Sequence, residues 1–330
     1  MKQFLQKKAK LVFLCMLVLL TCTACANPRG RDGKTLADQI IASEETTIDA
    51  SKINYKDISD KELKKEIKKN IKDGQYTIQP TTFKNSMSKG WFEGLIVWPI
   101  AQIINLISSK TDAGVGIILT TLLIQMLVFV FTRKSQMSTQ RMQEIQPEIQ
   151  KIQNKYKDKT DERSKMQMAQ EMQNLYQKYD IHPFGSMLIT FIQLPIMMGM
   201  YYATMRSVSV VSGSFMGISL AGTPLDGFKA LDIAYISIYV LMVIFYIVSM
   251  KLPQWLKKWQ DKKDNVKVKK YAQEQTNPMA NSMNMSMYFM TAMICIMYIS
   301  WPMAMSFYWL VSSVIRVCQS LILHQVMNKK

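Results

Sequence analysis

The chain has 330 residues, is 48% hydrophobic and carries a formal net charge of +17, a composition that either a soluble or a membrane protein could have. The two histidines, His182 and His324, have no nucleophile or carboxylate constellation around them in the sequence. The sequence also contains no glycine-rich phosphate loop and no metal-spacing motif. These features argue against an enzyme and predict no metal and no cofactor.

The first 24 residues have the form of a secretory signal. Lysines precede an apolar stretch at 11–20, and small residues follow it up to Cys25. The segment Cys22–Cys25 resembles a bacterial lipobox, although Cys22 stands where leucine is usual. We therefore predict a signal peptide at 1–24 and a diacylglycerol thioether on Cys25. The alternative is an ordinary signal peptide or an uncleaved anchor with incidental cysteines.

Residues 25–90 are predicted to form a short extracellular region. Ser59 to Glu62 has the form of a capping box, and Gly74 can end the helix that follows it. Three apolar side chains fall on one face of that helix: Leu63, Ile67 and Ile71. The sequence predicts one short amphipathic helix, whose lysines form a solvated face or attract anionic lipid headgroups.

Five stretches are long and apolar enough to cross a bilayer, which requires about 20 residues. The longest uncharged run, 275–315, is interrupted by Pro302 and is therefore interpreted as two spans. Residues 91–109 are also apolar but contain Glu93 and Pro99, and are interpreted as an interfacial helix along the outer surface. The predicted spans are about 114–132, 184–205, 231–250, 283–301 and 303–323.

The distribution of positive charge orients these spans. Residues 133–182 contain ten Lys or Arg and 251–284 contain eight, whereas 206–230 contain two. The positive-inside rule places the first two segments in the cytoplasm. The fold class predicted is an all-α bundle of five spans in the bacterial cell membrane, with the N-terminus outside and the tail, 326–330, in the cytoplasm.

The segment 133–182 contains two apolar stripes at helical spacing. The first consists of Met142, Ile145, Ile149, Ile152 and Tyr156, and the second of Met168, Met172, Leu175 and Tyr179. The pattern predicts an antiparallel pair of helices, a cytoplasmic hairpin. The stripes either pack against each other or, being rich in methionine, offer an adaptable surface to partners of varied sequence.

Several segments of the core, 91–325, resemble the YidC insertases of bacteria, which are related to the mitochondrial Oxa and chloroplast Albino proteins. The segments are QMST at 136–139, MQEIQPE at 142–148, HPFG at 182–185, FIQLP at 191–195 and PMAMSFYW at 302–309. The lipoprotein signal and the short external region resemble the Gram-positive branch. The resemblance implies a protein that inserts and helps to fold nascent membrane proteins without ATP, alone or beside the Sec translocon. It implies that this is done through a polar groove open to lipid and cytoplasm.

The resemblance also implies an arginine on the first core span, but the matching position here is Gln125. Arg316 instead lies on the fifth span, where relatives usually have a small polar residue. We therefore predict that the groove charge has moved to Arg316, with Gln125 as a neutral hydrogen-bonding wall and Gln193, Ser312 and Ser313 as further groove residues. The alternatives are that Arg316 extends to the inner headgroups or pairs with another group.

Partners and competing functions follow from the remaining features. The lysine-rich 251–270 loop, with Trp255 and Trp259, favours anionic lipid over ribosomal RNA, although contact with a translating ribosome stays open. No compact nucleic-acid module is recognisable, so specific DNA binding is not expected. A small-solute transporter is disfavoured because no internal repeat is detectable. A chaperone that only assists Sec is the other alternative.

Overall fold

The computed structural model describes residues 28–157, 159, 161–181, 184–263, 289 and 291–328. Four predicted features lie wholly or partly outside the described residues: the signal peptide, the lipid site at Cys25, the loop residues 264–270, and residues 283–288 and 290 of the fourth span.

The described residues are mostly helical. The helices are α1 (Lys61–Asn70), α2 (Phe83–Lys89), α3 (Trp98–Ser108), α4 (Ala113–Glu144), α5 (Gln146–Lys155), α6 (Glu162–Lys178), α7 (Phe184–Arg206), α8 (Val208–Ser212), α9 (Pro224–Ala230), α10 (Ile233–Lys263) and α11 (Met303–Asn328). A wider π-helical turn, Glu93–Val97, leads into α3. The short strands are β1 (Thr35–Leu36), β2 (Thr46–Asp49), β3 (Ile53–Asn54), β4 (Gln75–Ile78), β5 (Ser214–Phe215) and β6 (Ile218–Ser219).

Three of the described helices are long and apolar enough to cross a membrane, at Ala113–Met142, Ile233–Gln260 and Met303–Val326. The coarse prediction of a helical membrane protein is therefore confirmed. The helix α7 has nearly the bounds predicted for the second span, and α11 begins directly after Pro302, where a missing N–H and the fixed φ favour a helix start.

The helices α3, α4, α7, α10 and α11 share one apolar core. Its fully buried side chains include Ile104, Ile117, Met200, Met242 and Tyr308, one from each of these helices. The helix α3 lies against both α4 and α7. It buries Ile100, Ala101 and Ile104 and leaves Leu106 57% exposed, so an apolar side chain remains on its outer face.

The region 28–90 contains more structure than the single helix that we predicted. The strands β1 and β3 pair in parallel, and β2 and β4 pair antiparallel with Ile48 opposite Tyr76. Their apolar residues, among them Ile48, Ile53 and Ile67, form a second core that includes Val208 of α8. Strands of two to four residues are too short to show an alternating pattern, which is why the sequence did not reveal them.

The helix α1 begins one residue later than the predicted capping box. Asp60 is its N-cap, and its side chain accepts hydrogen bonds from the backbone N–H groups of Glu62 and Leu63 at 2.9 and 3.2 Å. The prediction that Ser59 starts this helix is therefore wrong, because the adjacent aspartate is an equally strong cap.

Residues 39–42 join the region 28–90 to the helix bundle. The Ile41 N–H donates to the carbonyl of Arg206 at 2.6 Å, and the Ile41 carbonyl accepts from Val208 N–H at 3.0 Å and from the Asn105 side chain at 2.8 Å. Arg206 also donates to the Gln39 carbonyl at 2.6 Å and forms an ion pair with Glu93. Glu93, which we interpreted as a mark of an interfacial helix, is thus a partner of Arg206.

The helices α5 and α6 contact each other through the stripes expected from the sequence. Ile145, Ile149 and Leu175 are buried between them. Tyr156 also donates to a carboxylate oxygen of Glu171 at 2.8 Å. Most of the stripe residues therefore pack within the pair, while Met166, outside both stripes, is 73% exposed.

Candidate functional site

A cavity of about 250 Å³ lies between α4, α7, α10 and α11. The helix α4 contributes Gln125, Gln136 and Gln140 to its wall, α7 contributes Gln193, and α11 contributes Arg316. Arg316 is the one charged side chain among the described residues that line this cavity, and no carboxylate is among them. The cavity wall therefore carries one positive charge among neutral polar and apolar side chains.

The spacing of polar residues on α4 explains how the sequence builds this wall. Gln125, Val128, Gln136 and Gln140 recur at intervals that place them on one helical face, about 22 Å long at 1.5 Å per residue. Apolar side chains on the other side of the helix are exposed instead: Leu119, Leu123, Met126, Leu127, Val130 and Phe131. One face of α4 is therefore polar toward the cavity, and the other is suited to lipid.

The predicted residue Gln125 is 6% exposed and donates from Nε2 to the hydroxyl of Ser312, at 3.2 Å. This bond joins α4 to α11, and Ser312 itself is fully buried behind the cavity. Gln193 donates from Nε2 to the hydroxyl of Tyr308, also at 3.2 Å, and so joins α7 to α11. The structure therefore brings three predicted groove residues, Gln125, Gln193 and Arg316, to the same cavity.

The guanidinium of Arg316 is held by two neighbours. One terminal nitrogen donates to Ser313 Oγ at 2.9 Å, and the centre of the group lies 5.9 Å from the ring centroid of Tyr246 on α10. Nε is buried and has no hydrogen-bond partner among the described residues. Because Ser313 precedes Arg316 by one turn, the side chain is directed toward the N-terminal end of α11 and away from its C-terminal end.

Sequence reasoning missed the contribution of α10. Ser249 and Pro253 both line the cavity, and Pro253 has no N–H to donate to the carbonyl of Ser249 four residues earlier. The proline thus leaves a backbone acceptor without its helical donor next to the cavity. Tyr246 was missed as well, because its contact with Arg316 joins residues 70 positions apart and has no local signal. Pro253, three residues after the predicted end of the third span, was the one signal that could have indicated α10.

Larger cavities involve the region 28–90, and one of them measures about 570 Å³. Four basic side chains line it, but Asp32 and Asp226 line it too, and its Lys34 and Lys52 already donate to the backbone carbonyls of Ser51 and Ser212. The cavity around Arg316, in contrast, joins four helices of the bundle.

Comparison with known proteins agrees with the resemblance seen in the sequence. A family model described as "60Kd inner membrane protein" matches residues 105–330. "Membrane protein insertase YidC 1" of Streptococcus pyogenes serotype M6 is 31% identical over 237 residues, which are 72% of this chain and 75% of the relative. The protein of the same name from Listeria monocytogenes serotype 4b is 30% identical, over 77% of this chain and 78% of its own length.

"Membrane protein insertase MisCA" of Bacillus subtilis strain 168 is 29% identical, over 72% of this chain and 80% of its own length. The family match includes the whole cavity, from Gln125 on α4 to Leu323 on α11. The resemblance to the YidC insertases is confirmed, and the chain belongs to the 60Kd inner membrane protein family.

Proposed function

We propose that this protein is a membrane protein insertase that places nascent membrane proteins into the bilayer and helps them to fold. The observation that carries the proposal is the polar cavity within an apolar helix bundle, whose wall holds Arg316 and neutral hydrogen-bonding groups. The relatives named as membrane protein insertases cover most of the chain and share the family to which it belongs.

The physical task of an insertase is to move a polar segment across hydrocarbon. Each unsatisfied polar group costs several kcal/mol in the bilayer core, so the apolar distance must be shortened or the group must be given partners. The glutamines of α4 and the Ser249 carbonyl can exchange hydrogen bonds with a client backbone. Arg316 can attract an acidic client side chain, in a setting where charges are less screened than in water.

Arg316 takes the place of the arginine that the family usually has on the first core span. This interpretation is supported by the shared cavity, because Gln125 and Arg316 line the same space from facing helices. The alternative, an arginine that extends to the inner headgroups, fits less well, since the guanidinium lies beside Ser313 and Tyr246 on the side of Arg316 away from the helix C-terminus.

The proposed arrangement in the membrane has five spans. The helix α7 and the segment 283–301, of which 291–298 are helical, would join the three apolar helices. The helices α5 and α6 would form a cytoplasmic hairpin, and residues 28–90 would lie outside with a lipid on Cys25. The exposed apolar side chains Trp91, Leu95 and Leu106 support a position of the α3 segment at the outer surface.

Nascent membrane proteins are the proposed clients. The protein is proposed to act alone or beside the Sec translocon and to receive its clients from translating ribosomes. Anionic lipids are proposed partners of the lysine-rich end of α10. Insertion is proposed to proceed by partitioning and the membrane potential, without an enzymatic step.

The experiment is insertion of a short single-span client with an acidic N-terminal tail into liposomes that contain this protein alone, followed by protease protection of the tail. We expect Arg316→Gln to reduce insertion about tenfold or more, because the positive charge in the cavity is lost. The double variant Gln125→Arg, Arg316→Gln returns an arginine to the same cavity from α4 and should recover much of the activity. Lys329→Gln removes one charge from the tail and is the matched control.

Equal insertion by the wild type and Arg316→Gln would show that Arg316 has no role in insertion, while the proposal that the protein is an insertase would stand. If the wild type inserts nothing, while Sec-dependent clients fold better in its presence, the protein is instead an assembly chaperone.

A further inference from the structure

A tyrosine ring lies against the guanidinium of Arg316, and no carboxylate of the described residues pairs with it. Tyr246 of α10 presents its ring at 5.9 Å. Two further tyrosines, Tyr298 before α11 and Tyr308 within it, belong to the apolar core of the bundle. The three tyrosines come from three parts of the chain. No acidic side chain of the described residues forms an ion pair with Arg316.

Two of these tyrosines are fixed by their own contacts. Tyr308 is fully buried and accepts the hydrogen bond from Gln193. Tyr298 is 5% exposed, and its ring stacks on that of Trp309 with centroids 4.8 Å apart. Tyr246, in contrast, has its ring 5.9 Å from the guanidinium and lies on the helix that also carries the cavity residues Ser249 and Pro253. It is therefore the tyrosine whose ring can restrain the guanidinium from α10.

We propose that Tyr246 is a positioning residue that holds the guanidinium of Arg316 at the cavity without neutralising it. This inference rests on the proposed function. The electron-rich face of a tyrosine ring attracts a cation through its quadrupole, and the attraction strengthens when the pair is removed from water. A carboxylate at the same place would bind the arginine more tightly, but it would cancel the charge that an acidic client has to meet.

The hydrogen bonding of Arg316 is consistent with this role. Ser313 accepts from one terminal nitrogen, which fixes the group in rotation. Guanidinium has five N–H donors in a planar fork that suits a carboxylate. With a ring on one side and a single serine acceptor, the group is held in place while donors remain for a client side chain.

A positioning role predicts a dependence on client charge. Without the Tyr246 ring, the Arg316 side chain can adopt other rotamers. Its positive charge is then no longer held at one place in the cavity for an acidic client. A client with a neutral tail does not use the charge and should be inserted as before. Loss of packing around α10 would instead slow both clients equally, so the ratio of the two rates separates positioning from a general structural role.

The test compares Tyr246→Leu and Tyr246→Phe with the wild type, using single-span clients that differ only in one acidic or neutral tail residue. We expect Tyr246→Leu to slow insertion of the acidic client roughly three- to tenfold relative to the neutral client, the range of a cation–π contact. Tyr246→Phe keeps the ring face and should stay near the wild-type ratio. Tyr239→Leu is the matched control, since Tyr239 lies two turns earlier on α10 and its hydroxyl donates to the Cys295 carbonyl at 2.7 Å.

A double-mutant cycle with Arg316→Gln completes the test. If Tyr246 acts through Arg316, Tyr246→Leu has no further effect on the charge ratio in the Arg316→Gln background. Suppose that Arg316→Gln slows insertion of the acidic client but Tyr246→Leu leaves the ratio of acidic to neutral insertion rates unchanged. That result overturns this inference and leaves the proposed function intact. A wild type that inserts neither client overturns the proposed function itself.

Discussion

The ion pair between Arg206 and Glu93 is nearly excluded from solvent, with side chains 6% and 13% exposed. Arg206 lies at the end of α7 and Glu93 before α3, and the Arg206 side chain also donates to the Gln39 carbonyl. The pair therefore ties together three separate parts of the chain. A buried pair adds little net stability compared with apolar groups, but removal of one partner leaves an uncompensated charge.

Glu93→Gln is accordingly expected to lower the free energy of unfolding by about 3 kcal/mol, within the range for broken buried pairs. Denaturant unfolding in detergent micelles measures this change. Asp180→Asn is the control, because Asp180 pairs with Arg141 at 3.8 Å and its side chain is 84% exposed. That variant should lose less than about 1 kcal/mol. Similar small losses in both variants would show that Arg206 finds another partner.

Glu171 gives the α5 and α6 pair a dependence on pH. Hydrogen bonds from the side chains of Lys155 and Tyr156 lower the pKa of the Glu171 carboxyl below its usual value. A lowered carboxyl pKa stabilises the folded state above the unfolded value of about 4.3, and this stabilisation is lost as the pH falls through the folded pKa. The contact between α5 and α6 should therefore loosen on acidification below that point.

Amide hydrogen exchange of residues 146–178 between pH 7 and pH 3 would record this loosening, after correction for the intrinsic rates. In Glu171→Gln the acid-dependent change should be smaller but not absent. The remainder comes from Asp161, which caps α6 and whose pKa is lowered by its hydrogen bonds with Ser164. An identical pH profile in the variant would exclude a role for Glu171.

Sequence reasoning reached some of these residues and not others. Arg316 and Gln125 were predicted because a charge inside an apolar span is costly, and because a resemblance indicated where to look. The partners Glu93 and Arg206 lie 113 positions apart, and no local pattern connects them. Contacts of this kind depend on how helices pack, which periodicity alone does not determine.

At the scale of elements, α10 continues well past the predicted span end at residue 250, as one helix to Lys263. Its exposed apolar side chains include Ile244, Ile247, Trp255 and Trp259. Trp259 carries Lys263 over its ring at 5.7 Å. Tryptophan and lysine together are typical of the membrane–water interface, so the end of α10 is expected to mark the inner headgroups.

Spin labels at Ile244→Cys and Trp259→Cys, in protein without Cys295 and Cys318, would test this expectation. Along the helix the two positions are about 22 Å apart. We expect the label at 244 to be accessible to oxygen in the hydrocarbon, and the label at 259 to report the headgroup region. Anionic phospholipid should immobilise the second label, and replacement of Lys257, Lys258, Lys262 and Lys263 by glutamine should reverse that effect. A label at 259 that is fully open to water would favour a ribosomal contact instead.

A comparison of α11 with the region 28–90 shows why some elements could be predicted from the sequence and others could not. Pro302 and the uncharged run around it predicted a helix start that the structure has at Met303. The strands β1 to β4 have two to four residues each and are stabilised by contacts far along the chain, such as the hydrogen bond from Thr35 Oγ1 of β1 to the Met205 carbonyl at 2.7 Å. A strong local signal was available in the first case and absent in the second.

At the scale of the whole molecule, the direction of insertion depends on which side of the membrane each end of the bundle faces. The proposed orientation has the β5–β6 turn outside and the α5 and α6 pair inside. Two methionines allow a matched test, because Met216 in that turn and Met166 on α6 are each 73% exposed. Cysteine at either position is therefore equally accessible to a reagent that reaches its side of the membrane.

The test uses intact cells that express the protein with its other cysteines replaced. A membrane-impermeant maleimide should label Met216→Cys fully and Met166→Cys by less than about a tenth. Permeabilisation should make the two equal, because their exposed fractions are the same. Met166→Cys should be protected in intact cells because the ten basic residues of 133–182 keep this segment on the cytoplasmic side. The opposite labelling pattern would show that the bundle has the inverted orientation in the membrane. The cavity lined by Gln136 and Gln140 would then open outward, where no nascent client could reach Arg316 from the ribosome.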